Sequence, residues 1–281
     1  MAAKRRPARL LNVQENNHIP AVHVEVEILF LGLIERDGFD LRSGTCCQEL
    51  YFFITVLRNP VHRYLSEFRH VQRGATWKSS RHWCGGQDFT SLPHCYKGAN
   101  WTGVELDEFM DCSYNLAHNR QTRMLADLNL VGCYNSTAMT SSSSQQTERD
   151  RVMLQSAKHN LARMAFFGLT EQQSISQYIF ERTFRLDFAS PFEQSNATLS
   201  AHAMAELTAK QLERVKQLNS LDAELYEYAR QLLHDRFELL KRQDRQFERH
   251  WLRILRHRLK STVANNGTDA PPPAAASDPA I

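Results

Sequence analysis

The feature that most constrains the fold is an unbroken apolar run, YFFITVL, at residues 51–57. A run of β-branched and aromatic residues without polar alternation is typical of a strand buried on both faces of a parallel sheet. Asn59 and Pro60 follow, and they favour a helix start as N-cap and first helical residue. The sequence therefore predicts a strand followed by a helix that ends near Arg73.

The helix predicted after this strand is amphipathic. Val61, Leu65 and Phe68 recur at helical spacing and form an apolar face. The polar side carries Arg63, Ser66, His70 and Arg73. This division predicts that the helix packs against the core through Val61, Leu65 and Phe68.

The rest of the chain alternates between strand and helix patterns. Residues 22–28 alternate apolar and polar side chains, which indicates a strand upstream of the buried run. Further predicted elements are a long loop at 74–103, helices at 104–111 and 115–128, a polar linker at 141–144, a helix at 147–163, a strand at 164–169 and a helix at 171–183. Thr170 with Gln173 predicts a capping box for the last of these. The alternation indicates a doubly wound α/β sheet.

The cysteines and sequons favour an oxidising compartment, whereas the N-terminal residues carry no secretory signal. The six cysteines include no C-x-x-C pair, which disfavours a zinc ribbon, and their even number suits disulfides, with buried free thiols as the alternative. Closeness in sequence suggests pairing Cys84 with Cys95 and Cys112 with Cys133, although sequence cannot fix the pairing. Glycosylation sequons lie at Asn100, Asn135, Asn196 and Asn266. The apolar run at 28–34 is too short to span a membrane, so the protein is cytosolic or its true N-terminus is absent.

Arg58 and Ser66 form the candidate site. Arg58 follows the buried strand directly, and in open α/β sheets ligands bind outside the carboxyl ends of the strands. Its guanidinium can grip a phosphate through two parallel hydrogen bonds, and Ser66 can donate another from two turns into the helix. The alternative is that Arg58 pairs with a carboxylate and Ser66 is an ordinary polar residue. Spacing alone favours that alternative.

Longer strings resemble a known family. LRNPVHRYLSEFRHVQRGATWKSS resembles the stretch that carries the 3′-phosphate-binding arginine and serine of sulfotransferases, in its heparan sulfate 6-O-sulfotransferase version. The resemblance continues in order through WTGVELDEFMDCSYNLAHNRQTRMLADLNLVGCYN, LQSAKHNLARMAFFGLTE and QYIFERTF. It covers residues 51–200, and more loosely the helical stretch to about 240.

The resemblance implies a fold and a reaction. The fold would be a P-loop-like nucleotide-binding α/β sulfotransferase domain with a parallel sheet, incomplete at the N-terminus and followed by a long C-terminal helix. The co-substrate would be 3′-phosphoadenosine 5′-phosphosulfate (PAPS), with no metal, and the acceptor the 6-hydroxyl of N-sulfoglucosamine in heparan sulfate. No nucleic acid partner is expected. The full-length form would be a type II single-pass Golgi membrane glycoprotein with a lumenal catalytic domain.

The resemblance also implies roles for individual residues. Arg58 and Ser66 would hold the 3′-phosphate of PAPS, while His70 and Trp77 would contact the sugar chain; for Trp77, core burial is equally open. PFEQSNATLS matches a loop that closes over the nucleotide. In this loop Gln194 agrees with the family and Leu199 stands where the family has arginine. The other cofactor-binding candidates there, through backbone groups, are Glu193, Ser195 and Ser200.

Two parts of the family pattern are missing from residues 1–49. There is no Lys/Thr/Gly-rich string to cradle the 5′-phosphosulfate, and His18 and His23 lack the Trp-rich context of the catalytic histidine, so the catalytic residue is unknown. We therefore expect an incomplete or mispredicted gene product that has lost its anchor, with negligible activity; a shortened isoform with a non-catalytic role is the alternative.

The predicted organisation has four parts. They are a divergent segment at 1–49, the sulfotransferase domain at 50–200, a helical region at 201–262 and a disordered tail at 263–281. The net charge of +3 is small, so attraction for a polyanion must come from charge placement. Eight Lys/Arg against two acids at 241–260 make a non-catalytic heparin-binding module the alternative function.

Overall fold

The computed structural model describes residues 29–33, 50–78, 80, 82–89, 92–134, 143–189, 192 and 204–266. Several predictions from sequence therefore lie outside the described residues. They concern the strand at 22–28, His18 and His23, the sequons at Asn135 and Asn196, and the loop residues Glu193, Gln194, Ser195, Leu199 and Ser200.

A three-stranded sheet stands at the centre of the fold. Its strands are β1 (Leu29–Leu33), β2 (Leu50–Leu57) and β5 (Phe166–Leu169), in the order β1-β2-β5. β2 runs parallel to β5, with Leu57 opposite Leu169, and antiparallel to β1. The predicted α/β class and the parallel pair are confirmed. The prediction that β2 is buried on both faces is wrong, because Phe53 is 51% exposed and Val56 37%.

A short hairpin lies within the predicted loop at 74–103. Its strands are β3 (Trp83–Cys84) and β4 (Gln87–Asp88). Gly85 and Gly86 link them, both with positive φ, as a tight hairpin turn requires.

Eight helices are described, together with 3₁₀ turns at Leu128–Val131 and Thr170–Gln172. The helices are α1 (Pro60–Gln72), α2 (Leu106–Asp111), α3 (Arg120–Leu125), α4 (Ser143–Arg163), α5 (Gln173–Phe184), α6 (Ala209–Leu218), α7 (Ser220–Gln243) and α8 (Phe247–Asn266). Among these helices none is both long and apolar enough to cross a bilayer.

The predicted C-terminal helical structure is confirmed, but it is divided into three helices, because the helical path breaks at Asn219 and Asp244. One prediction about a helix end is wrong. The capping box at Thr170 does not form, since a 3₁₀ turn precedes α5 and no side chain caps it. A complete capping box occurs instead between Thr208 and Gln211 at the start of α6.

The helices enclose two hydrophobic clusters. One covers the sheet and includes Ile54, Phe166 and, from α7 and α8, Leu233 and Ile254. The other lies between α1, α2 and α6 and includes Phe109. The C-terminal helices are therefore part of the core that supports β2 and β5.

The polar side of α1 is only partly open to solvent. Leu65 and Phe68 are buried as the spacing predicts, but Arg63 is 2% exposed and Ser66 7%. A buried charge requires partners, and for Arg63 they come from α7 and from the segment before α3, which cover this side of the helix.

The disulfides pair differently from the expectation. Cys84 bonds to Cys133, and Cys95 bonds to Cys112. The 3₁₀ turn at Leu128–Val131 ends in the left-handed residues Gly132 and Cys133, and this reversal brings the chain to the β3–β4 hairpin. Spatial proximity therefore overrides closeness in sequence.

Candidate functional site

Arg58 is held by its backbone at the carboxyl end of β2. Its N–H donates to Oε1 of Gln121 at 2.8 Å, and its carbonyl accepts from Nε2 of the same amide at 3.0 Å. The next residue, Asn59, donates its N–H to Oε1 of Glu171 at 2.9 Å. The strand end is thus tied both to α3 and to the turn that follows β5.

Asn59 also caps α1, as the sequence predicts. Its side-chain oxygen accepts from the N–H groups of Val61 and His62, at 3.1 and 3.3 Å. These donors are those that a helix N-terminus would otherwise offer to an anion. The N-terminus of α1 therefore offers these two donors to Asn59 and not to an anion. The nearby side chains of Arg58 and Ser66 are 2% and 7% exposed.

A buried polar network supports this strand end. Asp222 of α7 is fully buried and accepts from the N–H of Gln121 and from both the N–H and hydroxyl of Thr122. It also lies 3.6 Å from Nε of Arg63. Since Gln121 clamps the backbone of Arg58, the network connects α7 to the candidate site.

Arg63 extends the network along α1. Its Nη2 donates to the carbonyl of Ala117 and to Oδ1 of Asn219, both at 2.6 Å, and its Nη1 donates to Glu67 at 2.5 Å. Glu67 lies 3.3 Å from Nη1 of Arg120. The carboxylate of Glu67 therefore joins the buried Arg63 to Arg120, which lines a neighbouring groove.

This groove has a volume of about 720 Å³, and Arg120 lies among its lining residues. The residues that line it are Trp77, Ser80, His82, Trp83, Cys84, Leu116, Arg120, Arg123, Met124, Ala126, Asp127, Leu128, Asn129 and Tyr134. Of the predicted site residues in the described part of the chain, only Trp77 lines it. The Cys84–Cys133 bond links the hairpin wall to the segment that carries Tyr134.

The groove has a positive electrostatic character. Arg123 is fixed by donating to the carbonyls of Leu116 and His118, at 2.9 and 2.8 Å. Burial lowers the pKa of His82, and the nearby charges of Arg120 and Arg123 lower it further. Burial first, and then the two arginines, thus disfavour the protonated form of the His82 imidazole.

The remaining predicted residues occupy different surroundings. His70 is partly buried on α1, one turn beyond Ser66. The ring of Trp77 lies 6.4 Å from that of Phe109, so Trp77 borders the second core cluster as well as the groove. Asn100 is exposed and accepts from the N–H and hydroxyl of Thr102. Asn266 is the last residue of α8, and its side chain lies outside the described part.

Sequence reasoning missed Gln121, Arg120 and Asp222. The first two stand in the string HNRQTRMLADL, whose helical pattern does not distinguish them from surface residues. Asp222 is 101 residues from Gln121, so no local pattern connects them. Asp222 lies in the first turn of a helix, where an acidic residue ordinarily stabilises the helix N-terminus. The sequence therefore gives no indication that its carboxylate is buried.

His118 gives the fold a calculable pH dependence. Burial, and then the charges of Arg123 and Arg63, lower its pKa from 6.5 to about 3. Between these values the unfolded chain binds a proton that the folded chain does not, so stability falls as the pH falls. From pH 6.5 to pH 5 we expect a loss of about 2 kcal/mol from this group.

His118→Phe tests this expectation by urea unfolding at several pH values. Phenylalanine keeps the ring that stacks on Tyr64, and Nε2 of His118 makes no hydrogen bond that would be lost. The variant should lose less stability than the wild type between pH 6.5 and pH 5. Equal losses in both proteins, with equal stability at pH 8, would show that His118 does not contribute.

The basic stretch at 241–260 is partly neutralised within the fold. Arg253 pairs with Glu181 and, at 2.7 Å, with Asp187. His250 contacts Asp244 at 2.6 Å. The contact of Arg253 with Glu181 holds α8 against α5, and that of His250 joins α8 to the end of α7, so part of the predicted polyanion-binding charge has a structural role.

Comparison with known proteins agrees with the resemblance. The model of the Sulfotransferase family matches residues 43–229. Heparan-sulfate 6-O-sulfotransferase 2 of Danio rerio is 53% identical over 215 residues, which are 76% of this chain and 44% of that protein. Human heparan-sulfate 6-O-sulfotransferase 3 is 54% identical over 201 residues (71% of this chain, 41% of that protein). Human heparan-sulfate 6-O-sulfotransferase 1 is 47% identical over 243 residues (85% and 56%). The chain thus spans about half the length of these curated relatives.

Proposed function

Since this chain belongs to the sulfotransferase family, we propose that it binds PAPS and heparan sulfate for transfer of a sulfonate group to the 6-hydroxyl of N-sulfoglucosamine. The observation that carries the proposal is Arg58, which lies at the carboxyl end of a parallel strand with its backbone clamped by Gln121. The acceptor is inferred from the similar proteins, which are named heparan-sulfate 6-O-sulfotransferases.

Arg58 and Ser66 would hold the 3′-phosphate of PAPS. A guanidinium offers two parallel donors to a phosphate, and a hydroxyl adds a third. Because both side chains are buried, a phosphate bound between them would be removed from water, where charge-assisted hydrogen bonds are strong. When bound, PAPS supplies the sulfonate group.

His70 and Trp77 would contact the sugar chain, and residues 193–200 would close over the nucleotide. Trp77 borders the groove and can offer an aromatic face to a pyranose ring. His70 lies one helical turn beyond Ser66, on the same helix. This spacing supports a site in which α1 faces the nucleotide phosphate first and the acceptor next.

Transfer of the sulfonate group needs a phosphate-binding loop and a catalytic histidine, and residues 1–50 contain neither in recognisable form. No Lys- and Gly-rich phosphate-binding string and no histidine in the family's context occur there. We therefore expect nucleotide binding without appreciable turnover by this chain. The two disulfides favour an oxidising compartment such as the Golgi lumen.

Calorimetric titration with adenosine 3′,5′-bisphosphate tests the nucleotide site. Arg58→Ala should weaken binding about a hundredfold, because two charge-assisted hydrogen bonds are lost. Ser66→Ala should weaken it by about tenfold. Arg230→Ala is the matched control, since Arg230 is exposed and pairs only at the surface with Glu227. Unchanged binding in Arg58→Ala, or no binding by the wild type, would refute the proposal.

Incubation with labelled PAPS and N-sulfated heparan measures turnover separately. Binding of the nucleotide with no transfer is the expected result. Clear transfer to the 6-position would contradict the expected inactivity while supporting the family's reaction.

A non-catalytic polysaccharide-binding module is the second candidate function. The exposed residues Arg242, Arg245 and Arg249 on and between α7 and α8 favour it. Truncation at Leu240 is a poor test, because it removes Ile254 from the core. Replacing the three arginines with glutamine is sharper: earlier elution from heparin, with intact nucleotide binding, would assign retention to this surface.

A further inference from the structure

We propose that the groove from Trp77 to Tyr134 binds an anionic sugar of the heparan chain adjacent to the acceptor unit, with Arg120 contacting its sulfate or carboxylate and Trp83 packing against its ring. This inference rests on the proposed function and deepens it. It adds a specificity subsite beyond the residues that the family resemblance implies.

The aromatic rings of the groove suit a pyranose. Trp83 is 59% exposed, which is unusual for so large an apolar side chain. Trp77 and Tyr134 also line the groove, and the ring of Tyr134 lies 4.9 Å from that of His82. The C–H faces of a sugar ring can cover such surfaces while its polar groups stay at the rim.

Arg120 supplies hydrogen-bond donors that the fold does not use fully. Its side chain is 14% exposed, and its Nε is buried without a hydrogen-bond partner. Its counter-ion, Glu67, lies 3.3 Å away and already accepts from Arg63 at 2.5 Å. A guanidinium carries five N–H donors in a fixed fork. An anion in the groove could therefore pair with Arg120, because the carboxylate of Glu67 that balances its charge is shared with Arg63.

The position of Arg120 is set before a ligand arrives. Its guanidinium carbon lies 5.9 Å from the ring centre of Trp77, a cation–π distance. This contact places the charge beside the surface that is proposed to receive the acceptor sugar. A sulfate on the neighbouring sugar could then be recognised without reorganisation of the side chain.

The surroundings of Arg120 add positive charge and rigidity. Arg123 is fixed by two backbone carbonyls and also lines the groove. Asp127 is the only carboxylate among the groove-lining residues, and it accepts from the N–H and side-chain amide of Asn129. The local balance of charge thus favours an anionic ligand over a neutral one.

Fluorescence anisotropy with a labelled N-sulfated heparosan octasaccharide tests the subsite in the intact chain. Arg120→Gln should weaken binding about tenfold, since one charge-assisted contact is lost. Arg120→Lys should recover part of this affinity, because lysine keeps the charge but not the fork. Trp83→Ala should weaken binding about fivefold. All three variants should bind adenosine 3′,5′-bisphosphate like the wild type.

Matched controls separate the groove from the general surface. Arg230→Gln removes an exposed arginine elsewhere, and Leu130→Ala removes an exposed apolar side chain outside the groove. Both should bind the octasaccharide as the wild type does. Loss of affinity equal to that of Arg120→Gln and Trp83→Ala would overturn the assignment to this groove.

The remaining outcomes also decide the proposal. Unchanged octasaccharide binding in Arg120→Gln and Trp83→Ala, or no binding by the wild type, would overturn it. Equal competition by a DNA oligonucleotide of the same charge would show a general polyanion surface and would likewise overturn it. The proposed nucleotide function fails separately, through absence of adenosine 3′,5′-bisphosphate binding, and that result leaves the octasaccharide readout intact.

Discussion

Asp222→Ala is expected to lower the free energy of unfolding by about 4 kcal/mol, because it leaves three buried donors without their acceptor and removes one of the two carboxylates beside the buried Arg63. The carboxylate is fully buried and accepts from Gln121 and Thr122 at distances of 2.7 to 3.1 Å. Arg63, 2% exposed, lies 3.6 Å away. Alanine fills none of these roles.

The same substitution should weaken nucleotide binding even where the chain remains folded. Asp222 orients the backbone of Gln121, and the side-chain amide of Gln121 clamps the backbone of Arg58. Asp222 is therefore a positioning residue for Arg58. At low urea concentrations, where the variant is folded, its affinity for adenosine 3′,5′-bisphosphate should be reduced.

Urea unfolding followed by circular dichroism measures the stability change. Asp222→Asn keeps one oxygen acceptor and should cost less, about 2 kcal/mol. Glu224→Ala is the matched control on the same helix, because Glu224 is exposed and lies 3.8 Å from Lys158; its effect should stay below about 0.5 kcal/mol. A change in Asp222→Ala as small as that in Glu224→Ala would show that the network does not stabilise the fold.

The sequence predicts the local parts of this fold well. The strands at 51–57 and 164–169 and the helix after Pro60 are confirmed because their signals are contiguous: an apolar run, a cap and a helical repeat. The family can also be recognised from the sequence, because several strings that resemble it occur in the same order along the chain. The roles of Arg58 and Ser66 stay predictions that the binding experiments address.

Long-range contacts explain what the sequence could not predict. Arg63 has the spacing of a solvent-facing residue, but α7 and Ala117 bury it. The break at Asn219 lies inside a stretch that the sequence predicts as helical throughout. The side chain of Asn219 accepts from Arg63 and donates to the carbonyl of Val215, and the first of these contacts joins residues that are far apart in sequence. Arg120 acquires its place beside Trp77 only through tertiary packing.

Cys84→Ser with Cys133→Ser is expected to lower the free energy of unfolding by about 4 kcal/mol. The bond closes a sequence separation of 49 residues, so its removal releases a large entropy in the unfolded chain. The corresponding change at Cys95 and Cys112, with a separation of 17, should cost about 3 kcal/mol. Loss of the first bond should therefore be the more damaging of the two.

The first bond also holds the groove together. β3 and β4 have two residues each, and so short a hairpin is not stable alone. Trp83 lies on this hairpin, and Cys133 directly precedes Tyr134, which also lines the groove. Without the bond the hairpin and the Tyr134 segment can separate, and octasaccharide affinity should fall at least as far as in Trp83→Ala. The Cys95/Cys112 variant, whose bond lies outside the groove, should keep that affinity.

Urea unfolding and the anisotropy assay, each made on both double variants, separate the two effects. Mass spectrometry of unreduced peptides first confirms that the wild type contains the Cys84–Cys133 and Cys95–Cys112 pairs. If both double variants lose stability but both retain full octasaccharide affinity, the disulfide stabilises the chain without shaping the groove. If only the Cys84/Cys133 variant loses affinity, the covalent link between the hairpin and the Tyr134 segment is what keeps Trp83 in the groove that Arg120 also lines.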